Sequence, residues 1–209
     1  MKKIIIHPAY FPPILQMVAV AQAEHIVLEI HDNYQKQTYR NRTYTAHNNG
    51  ELLLNIPIKH LKKGVRQQMQ AVQIENDFPW QSHHWKSMKT AYRTSPFFEY
   101  YEDELAPLFE TPANSLLELN LQIFDLLCDL IGITAERSTS ETYDKTPEAT
   151  DLRFLIDIKK NKGYTLDTYT QVLQAHHGFL PNLSVLDLLF NEGPNTLNYL
   201  ESQQIQFIK

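Results

Sequence analysis

The hydrophobic pattern changes period along the chain, and the order of those changes predicts an α/β domain. Lys3–Ile6 is a short β-branched run that stops before Pro8, the signature of a buried strand. Pro12-Pro13 can open a helix, because the first turn has no use for those backbone donors. The following Ile14–Ala21 is apolar on almost every side, which predicts a deeply packed helix. His25–Ile30 is a second strand, rich in Val, Ile and Leu. Strand, helix and strand form a βαβ unit, which normally places its strands side by side and parallel.

A hairpin follows. Thr38–Tyr44 alternates large and polar residues, Asn49-Gly50 offers the positive φ angles of a tight turn, and Glu51–Ile58 returns. Pro57 cannot donate to a ladder, so the return strand ends or lies at an edge there. A further strand is expected at Ala71–Glu75.

The centre reads as helical. Trp85, Met88 and Tyr92 recur at helical spacing within Trp80–Tyr92, and Ser95-Pro96 breaks that run. Ser115-Leu116-Leu117-Glu118 is a capping-box pattern opening an amphipathic helix through Leu119, Ile123, Phe124, Leu127 and Leu130, with Gly132 suited to its C-terminal cap. Ile133–Ser138 can return as a strand. Ser184–Phe190 is a last core helix, closed by Gly193-Pro194 before a short C-terminal helix. The expected fold class is α/β: an N-terminal βαβ unit with an added β-hairpin in a mixed sheet, then a mainly helical C-terminal half. Within one domain over 1–209, residues 1–78 form sheet with one buried helix and 79–135 are helical. Residues 139–163 form an exposed connection with a short amphipathic piece at 151–158, and 181–200 hold the C-terminal helices.

Length and composition fit this picture. The chain has 209 residues, 43% hydrophobic and 21% charged, as expected of one globular domain with its own core. Cys128 is the single cysteine, which excludes an intramolecular disulfide, suits a reducing compartment and reads as helix packing. No apolar stretch approaches the roughly 18 residues of a membrane span, and no signal-peptide core follows Met1-Lys2-Lys3, so a cytoplasmic location is expected.

Charge alters the picture locally. The net charge is −5, yet His31–Arg66 carries seven cations (Lys36, Arg40, Arg42, Lys59, Lys62, Lys63, Arg66) against Asp32 and Glu51. That segment stands at +5, and the chain beyond Arg66 carries about −10. A basic zone on an acidic body points to an anionic ligand and away from a DNA duplex.

Two segments stand out as candidate chemistry. Ligands of open α/β sheets bind at the carboxyl ends of parallel strands, where the loop His7–Pro13 lies. Its prolines hold His7 and Tyr10 stiffly, and the helix after it offers backbone N–H groups to an anion. Tyr10 reads as a stacking platform, or alternatively as part of a proline-rich turn capping the core. The second strand runs into His31–Arg42, twelve residues without an aliphatic side chain. Asn33, Tyr34, Gln35, Lys36, Tyr39, Arg40 and Arg42, with Lys59, suit a ligand rich in phosphate and hydroxyl groups. His7 and His31 are the candidate general bases. Both segments leave parallel strands at one edge, which predicts a shared cleft with His7 and Tyr10 facing Lys36, Arg40 and Arg42. His83-His84 and His176-His177 fit no metal-ligand spacing, and GxGxxG, GxxxxGK[ST] and GxSxG motifs are absent. No metal is expected, and the sequence specifies neither a cofactor nor an oligomeric state.

Five separated blocks resemble the WbqC-like family in order and register. They are Ile5–Pro13, Asn33–Arg42, Leu54–Lys59, His84–Ser87 continuing through Ala91–Tyr101, and Phe179–Gly193. In its compact length the chain looks like the members found in Bacteroidetes. Family members often carry Gln where His7 stands, and longer ones have a Gly-rich segment with a Tyr where this chain has the polar stretch 139–175. The resemblance implies an association with bacterial surface-polysaccharide (O-antigen type) biosynthesis and hands over no catalytic residues. With the sheet edge, the stiff first loop and the basic, amide-rich segment, that association leads to the expectation of a transferase acting on an activated sugar or sugar nucleotide, so that a phosphorylated or nucleotide-activated sugar is the expected partner. The alternative is a non-catalytic binding or scaffold protein for a glycan intermediate, a partner protein or single-stranded nucleic acid.

Overall fold

The computed structural model describes residues 1–59, 66–161 and 163–207; Lys62 and Lys63 of the basic zone lie outside them. β1 (Lys3–Ile6), α1 (Ile14–Ala21) and β2 (His25–Leu28) form the expected parallel βαβ unit, in register from Lys3–His25 to Ile6–Leu28. Residues 14–20 of α1 are all buried, as their largely apolar character requires, and Gln16 donates from Nε2 to the His7 carbonyl at 2.7 Å. The loop before α1 departs from expectation, because every residue from His7 to Pro13 is buried. Phe11 takes a φ of +43°, uncommon for a side chain of this size, and its carbonyl accepts from Thr43 Oγ1 at 2.8 Å. The start of α1 is also occupied. Ile14 N donates to the Leu183 carbonyl at 3.0 Å and Leu15 N to Asn182 Oδ1 at 2.8 Å. With those first-turn donors taken, the expected anion site at this helix start is not there.

β3 (Arg42–His47) and β4 (Gly50–Asn55) pair antiparallel, as a two-stranded sheet of their own beside the parallel one. The connection is Asn48-Asn49, and Gly50 supplies the positive φ, at +115°. The first strand begins at Arg42 rather than Thr38, because Thr38–Asn41 is bonded elsewhere: Tyr39 N donates to the Ile156 carbonyl and the Tyr39 carbonyl accepts from Tyr10 N, both at 2.9 Å. At 71–75, single bridges (Gln73 with Ser115, Ile58 with Ile74) replace the expected strand.

α2 (Trp80–Tyr92) buries Trp80, His84, Trp85, Met88, Ala91 and Tyr92 on one face. α3 (Phe98–Leu105) and α4 (Pro107–Glu110) follow the Ser95-Pro96 break. α5 (Leu116–Ile131) has the predicted ends: Ser115 Oγ accepts from Glu118 N at 3.3 Å, and Gly132 closes it at φ +84°. Cys128 is buried in α5, and burial pushes its thiol up to about 12, which makes it an unreactive packing residue.

β5 (Glu136–Thr139) lies beside β2, and β6 (Thr150–Asp151) lies on the other side of β1, giving a parallel sheet of order β5-β2-β1-β6. The stretch expected as an exposed connection is therefore divided. Residues 141–150 are mostly exposed, whereas Leu152, Arg153, Leu155 and Ile156 are buried against β1 and α1. After α6 (Gln174–His177), α7 (Val185–Glu192) and α8 (Thr196–Ser202) complete the core. Tyr169 and Gln171 donate to the buried carboxylate of Asp187, tying the preceding loop to α7. Among the described residues, no helix is long and apolar enough to cross a membrane.

Candidate functional site

The carboxyl edge of the parallel sheet gathers polar and charged side chains from every strand. His7 follows β1; Glu29 and Asp32 follow β2; Ser140 follows β5; Asp151 and Arg153 end and follow β6. The ladder runs on just past the strand ends and aligns them. Glu29 N donates to the Ile6 carbonyl at 2.8 Å, Leu152 N to the Ile5 carbonyl and Ser140 N to the Leu28 carbonyl, both at 2.9 Å.

His7 is the centre of the first group. Its Nε2 lies 3.0 Å from Arg40 Nη2 and 3.3 Å from Asp32 Oδ2, while Arg40 Nη2 also donates to Asp32 Oδ2 at 3.1 Å. A proton on Nε2 would satisfy Asp32 and oppose Arg40; a lone pair there does the reverse. Burial decides between them. It lowers the His7 pKa below 6.5, and the Arg40 charge adds to this against the pull of Asp32. The ring also hydrogen-bonds the Glu29 backbone, and with Nε2 turned toward Arg40 that bond falls to Nδ1. The result is a neutral imidazole with the Nε2 lone pair toward Arg40. Partial burial pushes the Asp32 carboxyl up. The Asn33 N–H at 2.7 Å and the Arg40 charge at 3.1 Å outweigh this and hold it below its ordinary range. Arg40 is fixed from behind, since Asn120 of α5 donates to its carbonyl at 2.8 Å.

Arg153 organises the second group. Its Nε and Nη2 form a fork on Asp151 at 2.9 and 3.0 Å, and its Nη1 reaches the Asp144 carbonyl at 2.7 Å and Glu29 at 3.4 Å. Glu29 is fully buried, and its other oxygen accepts from His31 N at 2.8 Å and Ser140 Oγ at 2.9 Å. A buried carboxylate is tolerable with that many donors. The Arg153 guanidinium also lies 5.0 Å over the Tyr143 ring. Together the two groups line a polar cleft of about 260 Å³, whose rim carries Lys145 and Lys160.

The residues expected in one cleft are distributed over three surfaces. His7, Gln35 and Arg40 line the cleft just described. Tyr34, Lys36, Arg42 and Lys59 line a separate groove of about 640 Å³. Tyr39 borders a third, of about 450 Å³, with Tyr44 and Asn161. Asn33 is exposed and bridges to Gln68. Tyr10 is not a stacking platform. It is buried against Phe11, Trp80 and His84, with its hydroxyl 2.8 Å from His84 Nδ1, because α2 and the hairpin close over the loop. His31 does not line the cleft; its Nε2 meets the Ser140 carbonyl at 3.1 Å and its Nδ1 meets Gln70 Nε2 at 3.3 Å.

Asp32, Tyr143, Lys145, Asp151, Arg153, Asp157 and Lys160 line the cleft without being candidates from the sequence, and Glu29 lies buried beside it. The available signal was Asp151-Leu152-Arg153, an acid and a base two positions apart at a strand end. Among the described residues, no group of three or more His, Cys, Asp or Glu side chains could hold a metal ion.

Comparison with known sequences yields one profile match and one relative worth reporting. The profile of the WbqC-like protein family matches residues 7–171. The uncharacterized protein Rv1507c of Mycobacterium tuberculosis (strain ATCC 25618 / H37Rv) is 25% identical over 228 residues, covering 96% of this chain and 98% of the relative. No solved structure matches.

Proposed function

The chain belongs to the WbqC-like protein family, and on that premise we propose that it is a cytoplasmic transferase of bacterial surface-polysaccharide (O-antigen type) biosynthesis, acting on an activated sugar or sugar nucleotide in the cleft beside His7. The observation that carries this reading is the neutral, buried His7, whose Nε2 lies 3.0 Å from Arg40 in a cleft lined mostly by charged residues. Such a nitrogen suits a general base. It would take the proton of an acceptor hydroxyl or amine as that atom attacks the activated carbon, the acceptor's O–H or N–H replacing Arg40 as the partner of the Nε2 lone pair. The bond to the leaving phosphate breaks, and the phosphate departs with the electron pair. Lys145 and Lys160 have no ion-pair partner among the described residues, so their charge is available to the departing phosphate. Asp32 and Arg40 hold the ring in place.

One observation favours a binding-only role: both cleft arginines are already matched by acids, Arg40 by Asp32 and Arg153 by Asp151. That pairing suits a rigid receptor for a neutral, hydroxyl-rich glycan. A panel of nucleotide sugars separates the two readings. The transferase reading expects at least one to raise the melting temperature and to be consumed in the presence of an acceptor. Stabilisation by a glycan fragment with no consumption of any donor would leave the binding role.

A further inference from the structure

The groove lined by Tyr34, Lys36, Arg42 and Lys59 is more one-sided in charge than the cleft: three cations face the single carboxylate of Glu75. None of the three has an ion-pair partner among the described residues, and Arg42 Nε is buried without a hydrogen-bond partner. The groove also holds the most exposed phenylalanine of the described residues, Phe78 at 66%. Tyr34 forms another aromatic wall, close enough to Arg42 and Arg40 that their charges act on its hydroxyl. Gln37, on the same rim, takes a φ of +60°, a strained choice for a residue that packs no core. The volume of about 640 Å³ lies within the roughly 300–1,000 Å³ range of small-molecule sites.

We propose that this groove binds the nucleoside diphosphate half of an activated sugar. The base stacks on the open face of Phe78, and Arg42, Lys36 and Lys59 hold the phosphates. A flat ring next to unpaired cations is what a nucleotide requires, and a neutral glycan would leave those cations unused. The segment 33–37 forms the rib between the two surfaces, with Gln35 on the cleft side and Tyr34 and Lys36 on the groove side. A nucleotide sugar laid over this rib would place its sugar toward His7. Nucleotide binding in the groove stands on the groove's own residues; only the link across the rib rests on the proposed function.

The test is calorimetric titration of the full chain with UDP, GDP, ADP and dTDP, with uridine and pyrophosphate as fragments and an oligothymidylate as competitor. At least one diphosphate binds at one per chain. Phe78→Ala weakens that binding about tenfold and Lys59→Ala several-fold, consistent with base stacking and phosphate contact, and both variants unfold like the wild type because both side chains are exposed. Binding in the groove with no turnover on any nucleotide sugar upholds this assignment and removes the transferase reading. Three results overturn it: no diphosphate binds; affinity ignores Phe78 and Lys59 but falls in Lys160→Ala, which puts the nucleotide in the cleft; or the oligothymidylate outcompetes every diphosphate with a steep salt dependence, which makes the groove a strand-binding surface.

Discussion

His7 and His84 are both neutral histidines held inside the protein, and acid acts on each with the same sign. At His84, burial lowers the pKa from 6.5 to about 4, with the His83 charge assisting and the Asn55 backbone opposing. The unfolded chain takes up this proton near pH 6.5 while the native chain resists until about pH 4. Folding stability is therefore lost progressively as pH falls through that window. For His84 the shift corresponds to about 3 kcal/mol once the window has been crossed. Urea unfolding of wild type and His84→Gln at pH 7 and at pH 4.5 checks this: the variant loses less stability on acidification. Equal losses would show that another group carries the acid sensitivity. Neither burial was evident at the level of single residues. His83 and His84 are identical in sequence terms, and only the buried face of α2, shared with Trp80 and Met88, separates them.

At the scale of elements, the chain was most readable where one segment carries its own period and punctuation. Ile14–Ala21, Trp80–Tyr92, Leu116–Ile131 and Val185–Glu192 each show helical spacing between recognisable stops, and each forms a helix. β6 has two residues, too few for any alternation, and it exists because it docks on β1. For the same reason Arg153 was read as part of an exposed connection. The loop before α1 was misread in the opposite direction, since its burial comes from elements as distant as α2 and the 181–185 loop. Asn182 makes that long-range support testable. It takes φ +55° and caps Leu15 N from far along the chain. Asn182→Ala loses both the cap and a residue tolerant of that backbone, and should cost about 1–2 kcal/mol by urea unfolding. A change below about 0.5 kcal/mol, the size of an ordinary surface substitution, would show that α1 needs no such cap.

For the whole molecule, the parallel-strand rule points to the sheet edge where the polar cleft lies but merges surfaces that the fold keeps apart. Residues 31–42 are continuous in sequence, so their polar character predicted one site. In three dimensions the segment is a rib: Asp32, Gln35 and Arg40 face the β1–β6 edge, and Tyr34, Lys36 and Arg42 face the hairpin side. Nothing in a single sequence marks which side of an irregular segment a residue takes. On the proposed reading, the cleft and the basic groove take different parts of one ligand.

The central claim is that His7 Nε2 is the base of a transfer reaction in the cleft. The pH dependence of kcat/KM for the best nucleotide sugar, compared between wild type and His7→Gln, tests it most directly. The account predicts a wild-type acid limb with a midpoint below 6.5, in the direction set by burial of the ring. It predicts the loss of that limb in His7→Gln, with turnover reduced about 10²–10⁴-fold and nucleotide affinity little changed. A variant that keeps wild-type turnover with the same acid limb would contradict it.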